Sequence, residues 1–308
     1  MEIIQGKQSD TSLLHISALA IGIFDGVHLG HQKIIKYLNQ TAAKKKLPSA
    51  ILTFHPHPND ILGKDVIKML QTIEQRIQEI QKLGIDMIWI IPFTKEFASL
   101  SRDEFLQQIL VKKSKAKEII VGENFYFGKN REGDINYLRK AGRDYKFNVH
   151  SIAPVKKDGE IISSSRIRFD LEHDDLKHAN LFLGRPYEIT GTVIKGSSRG
   201  KKLGFPTANI LTENDIVPQG VYITSSYLDH DQYPSVTNIG VNPTFNQTGI
   251  QVETHLIDFK GDIYSRKINI RFLEKIRNEK KFDSYEELSL QIEKDIKMAK
   301  DFFKRLEQ

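Results

Sequence analysis

Short apolar runs alternate with helical spacing through the first half of the chain. Residues 19–24, LAIGIF, have the length and apolarity of a buried strand. Residues 31–45 follow as a helix with Ile34, Ile35 and Leu38 on one face. SAILTF at 49–54 predicts a second strand, and Ile73, Ile77 and Ile80 predict a helix over 72–84 that stops at Gly84. MIWIIPF at 87–93 is a third strand. A helix at 101–110 opens on a capping box, Ser101 with Glu104. EIIVG at 118–122, a helix over 134–146 and a strand over 148–155 complete the pattern. Strands of this length separated by helices predict a doubly wound parallel sheet. Ligands of such sheets bind at the carboxyl ends of the strands.

The second half has a different period. After a helical stretch at 174–184, short strands are predicted at 187–194, 220–228, 235–240, 251–259 and 267–276. Gly, Pro and Asn cluster between them, which predicts a small antiparallel barrel. A helix near 285–305 opens on a second capping box, Ser284 with Glu287. The expected boundary lies at Gly184–Arg185–Pro186, giving domains 1–184 and 185–308. The length of 308 residues suits two domains with a core each.

Composition narrows the function classes. The chain has no cysteine, which excludes disulfides, thiolate chemistry and Cys-type zinc sites. The net charge of +6 is mild for this length and suits anionic small molecules better than nucleic acid. The apolar runs are too short to span a bilayer, and residues 1–10 lack the pattern of a signal peptide. The expected location is therefore the cytoplasm, with no membrane and no nucleic-acid partner.

Two stretches carry candidate chemistry. GIFDGVHLGH, residues 22–31, sits where the first predicted strand gives way to a helix. A glycine-rich turn at a helix N-terminus attracts anions, and His28 and His31 can donate to phosphate oxygens. Gly30 suits a close approach of backbone to phosphate. Two other readings stand beside this one: a zinc site built from His28, His31, His55 and His57, and a structural role for the histidines. ISSSRIR, residues 162–168, places hydroxyls before a helix and Arg166 and Arg168 in its first turn. Cations there oppose the helix dipole, and a bound anion would offset that cost. Ser165 as a simple N-cap is the alternative.

The His28-Leu29-Gly30-His31 pattern after an apolar strand, followed much later by ISSSRIR, resembles the nucleotidylyltransferase superfamily. More closely, GIFDGVHLGH, TFHPHP, VGENFYFG, ISSSRIR, GKKLGFPTANI, NIGVNPTF and KIRNEKKF occur in the order seen in the prokaryotic bifunctional riboflavin kinase/FAD synthetase family. The resemblance covers essentially the whole chain. It departs in detail at Ile23, where many relatives carry Asn, and at Ser165, where many carry Thr. It implies a Rossmann-like domain that adenylylates FMN, followed by a riboflavin kinase barrel. The implied substrates are riboflavin, FMN and ATP, with FAD as product and Mg²⁺ as cofactor.

The resemblance also implies roles for residues. His28, His31 and Arg168 would act in adenylyl transfer. Gly22, Phe24, Asp25, Gly30, Ser164 and Ser165 would line the ATP site. Asn124, Phe125 and Phe127 would lie near the flavin, although either phenylalanine could instead be core. In the second half, residues 195–209 read as a basic, glycine-rich loop in which Gly200, Lys202 and Gly204 would face ATP phosphates. It is not a Walker A loop. Thr207 and Asn209 offer hard oxygens to Mg²⁺. Glu253 would be the base for the ribityl hydroxyl. Arg277 would contact flavin or nucleotide, or else pair with the C-terminal helix. Two alternatives remain open: an FAD synthetase whose barrel is kinase-inactive, and a nonenzymatic nucleic-acid-binding regulator. The latter would need a basic stripe with interleaved aromatics, which is absent from the sequence.

Overall fold

The computed structural model describes residues 1–6, 17–63, 65–196, 204–241 and 249–306. The chain forms two compact units. One comprises residues 1–68 and 73–164, the other residues 69–72 and 165–308.

The first unit is built on a six-stranded, all-parallel sheet of order β1-β4-β3-β2-β5-β6. Its strands are β1 (Glu2–Gln5), β2 (Ala18–Ile21), β3 (Ser49–His55), β4 (Met87–Pro92), β5 (Glu118–Gly122) and β6 (Asn148–Ile152). Five of the six are predicted from apolar runs. β1 is not, because EIIQ is a short edge strand with only Ile4 buried.

Helices cover both faces, as the pattern requires. Leu19 and Ile21 of β2 enter one apolar cluster, while Ala18 and Ala20 enter the other. The helices are α1 (Leu29–Lys45), α2 (Pro58–Ile61), α3 (Ile73–Lys82), α4 (Lys95–Ala98), α5 (Arg102–Glu104) and α6 (Ile135–Tyr145). Beyond Glu104 the α5 chain continues over Phe105–Ser114 with the wider i→i+5 winding. The Ser101–Glu104 box closes in both directions at its start. A two-stranded hairpin, β7 (Lys156–Lys157) with β8 (Glu160–Ile161), was not predicted. Sheet order reverses between β2 and β5, so the crevice for a ligand opens at the carboxyl end of β2.

The second unit holds most of α7 (Ser164–Glu172), α8 (Leu176–Leu183), a closed antiparallel barrel and α9 (Tyr285–Leu306). The barrel order is β10-β13-β12-β11-β14-β9, closed by pairing of β10 with β9. The strands are β9 (Tyr187–Ile194), β10 (Ala208–Thr212), β11 (Gly220–Leu228), β12 (Asp231–Val241), β13 (Ile250–Leu256) and β14 (Lys267–Arg277). β10 corrects the loop expected over 195–209: pairing with β9 and β13 turns Ala208 and Asn209 into strand.

Val221, Ile223 and Val236 pack against Ala299, Ile296 and Phe302 of α9, outside the barrel. The opposite faces carry Thr224, Ser226, Ser235, Thr237 and Thr254, fully buried and bonded to one another inside it. Such hydroxyls are tolerated in a core because each has a partner. Alternation then puts Gln251, Glu253 and His255 of β13 on the outer face.

Candidate active sites

In the first unit the chain leaves β2 at Ile21 and turns sharply. Phe24, Gly26 and Val27 all have positive φ, at 56°, 79° and 40°. Such a run is strained for Phe and Val and needs external support. His28 then caps α1. Its Nδ1 accepts from the backbone N–H of Gly30 at 3.1 Å and of His31 at 3.3 Å. A ring nitrogen that accepts carries no proton, so the proton of the neutral ring lies on Nε2. Two of the amides at the N-terminus of α1, expected to be open to phosphate, are instead taken by His28. The His28 and His31 rings stack with centroids 3.7 Å apart.

Gly30 is required by this cap, since a Cβ there would sit 2.9 Å from His28 Cε1. At Gly22 a Cβ would meet the Phe24 ring at 3.2 Å. Asp25 is buried, and Ser164 Oγ donates to its carbonyl oxygen at 2.9 Å. Ser165 and Arg168 lie on α7, where Arg168 Nη2 donates to Ser165 Oγ at 3.3 Å. The cost of a cation in that first turn is offset within the helix for Arg166, whose Nε pairs with buried Asp170 at 2.8 Å. No bound anion is needed to explain Arg166.

The four histidines do not form a metal set. His57 Nδ1 caps α2 through Asn59 N–H at 3.1 Å, as His28 does for α1. Among the described residues, the one cluster of three potential ligands is Asp170, Asp175 and His178. Within the expected flavin segment, Asn124 is exposed and Phe125 half-buried. Phe127 is core: it is buried and its ring meets Phe105 at 5.2 Å.

Sequence reasoning missed Arg76. It is only 2% exposed and is among the bulkiest fully buried side chains of the described residues. Nη1 donates to the Ile23 carbonyl at 2.7 Å and Nη2 reaches the Phe54 carbonyl at 3.5 Å. Thr53 Oγ1 donates to the same Ile23 oxygen at 3.0 Å. Burial pulls the guanidinium pKa down, and the neighbouring Asp25 charge opposes that pull. A charge on α3 therefore ties the strained turn to β3. Only its helical position, beside Ile73, Ile77 and Ile80, hinted that it faces inward.

In the second unit, Gly200 and Lys202 lie outside the described residues, and Gly204 has φ of 84°. Thr207 is exposed and precedes β10, while Asn209 is buried on it. Register places Asn209 directly opposite Glu253. The Gln251 amide binds both, at 2.7 Å to Glu253 Oε1 and 3.2 Å to Asn209 Oδ1. Gln251 was also missed, because only pairing of β13 with β10 brings it to Asn209. Gly196 lies so close that a Cβ would stand 2.0 Å from Asn209 Nδ2. Arg277 takes the second of its two expected roles: it chelates buried Asp295 of α9, with Nη2 to Oδ2 at 2.8 Å and Nε to Oδ2 at 3.1 Å.

A doubly wound sheet with paired histidines at its crevice, together with a closed barrel bearing an amide–carboxylate pair, defines a two-module class of phosphate-transfer protein. Residues 10–166 match the FAD synthetase family model, and residues 183–303 match the riboflavin kinase model. A bifunctional riboflavin kinase/FMN adenylyltransferase of Haemophilus influenzae is 38% identical over 306 residues, 98% of this chain and 99% of the relative. The Bacillus subtilis protein of the same name is 37% identical, covering 94% of this chain and 93% of its own. The chain belongs to the bifunctional riboflavin kinase/FMN adenylyltransferase family.

A solved structure described as a macrolide-efflux protein from Streptococcus pneumoniae is also similar. It has a TM-score of 0.87 and 28% identity, covering 97% of this chain and 99% of that one. Among the described residues here, no helix is long and apolar enough to cross a membrane.

Proposed function

We propose that this chain makes FAD in two ATP-dependent steps. Residues 185–308 phosphorylate riboflavin to FMN, and residues 1–184 adenylylate FMN and release pyrophosphate. The observation that carries the kinase half is the Gln251 amide, which holds Asn209 and Glu253 side by side on adjacent strands.

In the kinase step the ribityl 5′-hydroxyl attacks the γ-phosphorus of ATP, the bond from that phosphorus to the β,γ-bridging oxygen breaks, and ADP leaves. Glu253 takes the hydroxyl proton, and the hydrogen bond from Gln251 orients its carboxylate. Thr207 and Asn209 present a hydroxyl and an amide oxygen, hard neutral donors that fit Mg²⁺. Mg²⁺ bound there would neutralise charge on the ATP phosphates. Gly200, Lys202 and Gly204 belong to the segment assigned to those phosphates. Arg277, locked to Asp295, fixes the end of β14 beside the segment that begins at Asn278.

In adenylyl transfer the FMN phosphate attacks the α-phosphorus in line, and pyrophosphate leaves. The nucleophile is already an anion, so positioning and charge stabilisation are the main requirements. His28 and His31 donate to the ATP phosphates from the N-terminus of α1. Gly22, Phe24, Asp25 and Gly30 shape the turn beneath them. Ser164, Ser165 and Arg168 receive the β/γ end. Asn124 and Phe125 face the flavin, with Phe127 supporting Phe125 from the core. A cytoplasmic location suits this reading, since both steps consume ATP.

The test is a chromatographic assay of the pure protein with ATP, Mg²⁺ and riboflavin. The expected products are FMN and FAD. FAD formed only from supplied FMN would leave a kinase-inactive barrel, and absence of turnover from either flavin would overturn the proposal.

A further inference from the structure

The outer face of β13 carries a third polar residue, His255, two positions beyond Glu253. Its Nδ1 lies 2.8 Å from the carbonyl oxygen of Pro206. A carbonyl only accepts, so Nδ1 carries the proton in both the neutral and the charged ring. The Phe205 ring meets the imidazole edge-on, with centroids 6.2 Å apart. One side chain thus meets both Phe205 and Pro206, the two residues that lead into Thr207 and β10.

This hold matters because of where the ladder stops. β10 begins at Ala208, which pairs with Thr254. Continuing the register by one residue sets Thr207 opposite His255, just as Asn209 is opposite Glu253. Thr207 precedes the strand, and Pro206 has no N–H to donate. The Pro206 carbonyl is therefore the one backbone hydrogen-bonding group of that residue, and His255 takes it.

We infer that His255 is a positioning residue for the kinase step. Its Nδ1–H clamps the Pro206 carbonyl and so fixes the Thr207 hydroxyl beside Asn209 and Glu253. The inference rests on the reading of Thr207 and Asn209 as the groups that receive Mg²⁺ and ATP. Asparagine can place an amide N–H near the position of Nδ1, whereas leucine keeps only the bulk.

The experiment compares full-length His255→Leu and His255→Asn with the parent protein. Riboflavin phosphorylation is measured against MgATP concentration, with adenylylation of supplied FMN as internal control. Loss of one hydrogen bond that orders a binding loop should raise the MgATP KM by about fivefold in His255→Leu. The KM for riboflavin and the adenylylation rate should stay unchanged, and His255→Asn should recover most of the MgATP affinity. A parental MgATP KM in His255→Leu, or an Asn variant as impaired as the Leu variant, would overturn the clamp. Asn209→Ala separates the two levels. If it retains full kinase activity, the assignment of β10 to MgATP fails. If it loses activity while His255→Leu does not, only the clamp fails.

Discussion

His28 both caps the helix that carries His31 and stacks on the His31 ring. The cap bonds are 3.1 and 3.3 Å long, and the ring centroids are 3.7 Å apart. One imidazole thus holds the backbone of the turn with Nδ1 and packs its ring face on His31. The cap and the proposed role in adenylylation can be separated at this residue. Asparagine is a good N-cap but has no imidazole, so His28→Asn should melt near the parent temperature. Its FMN adenylylation should still fall on the order of 10²-fold. His28→Ala should lose the same activity and about 1 kcal/mol of stability as well. Thermal melts and product chromatography on the two variants check this. Full activity in His28→Asn would reduce His28 to a cap.

Glu253→Gln retains shape and much hydrogen bonding but cannot accept the proton. Riboflavin phosphorylation should fall by roughly 10²–10⁴-fold. Adenylylation of supplied FMN should be unaffected, and riboflavin affinity by fluorescence titration should change far less than turnover. An ordinary strand carboxylate would leave all three quantities unchanged.

Gly196 reports on Asn209. A Cβ at 196 would stand 2.0 Å from Asn209 Nδ2, so Gly196→Ala must displace the amide from its place beside Glu253. Kinase activity should drop at least about tenfold, as expected when a reacting group is moved by a fraction of an ångström or more. FMN adenylylation in the same sample should be normal.

Arg76 supports the strained turn from beneath. Replacing it with Met leaves the Ile23 carbonyl to Thr53 alone and Asp25 without its neighbouring charge. Losing the charge-assisted hydrogen bond to the Ile23 carbonyl costs about 1.5–3 kcal/mol, so Arg76→Met should destabilise the first unit. Arg76→Lys keeps the charge and should recover much of that loss. Denaturant titration followed at Trp89, which lies in the core of this unit, measures both.

His55 should report the same charge. His55 is exposed at the end of β3, but partial desolvation by its neighbours, and then the Arg76 guanidinium, hold its pKa below the ordinary 6.5. The unfolded chain therefore binds the proton more readily than the folded one. His55 costs no stability above pH 6.5 and progressively destabilises the fold as pH falls toward its lowered pKa. An NMR titration should find the His55 midpoint below 6.5, moving upward in Arg76→Lys only slightly. His55→Gln should flatten the pH dependence of stability over that window.

The sequence by itself determined the local elements and the kinds of chemistry available. Apolar runs such as MIWIIP and EIIVG, and caps such as Ser101–Glu104, depend on neighbours a few residues away, so their spacing is visible in one dimension. The paired histidines, the serine–arginine segment and the Thr207–Asn209 pair were legible for the same reason. Tertiary structure decided what those residues meet. Strand pairing brings Gln251 to Asn209 across 42 positions of chain, and sheet packing brings Arg76 to Ile23 across 53. It also made Phe127 core and gave Arg277 to Asp295. A side chain's role depends on the groups that desolvate it and satisfy its hydrogen bonds. Those groups are gathered by register and packing, which no short window of sequence contains.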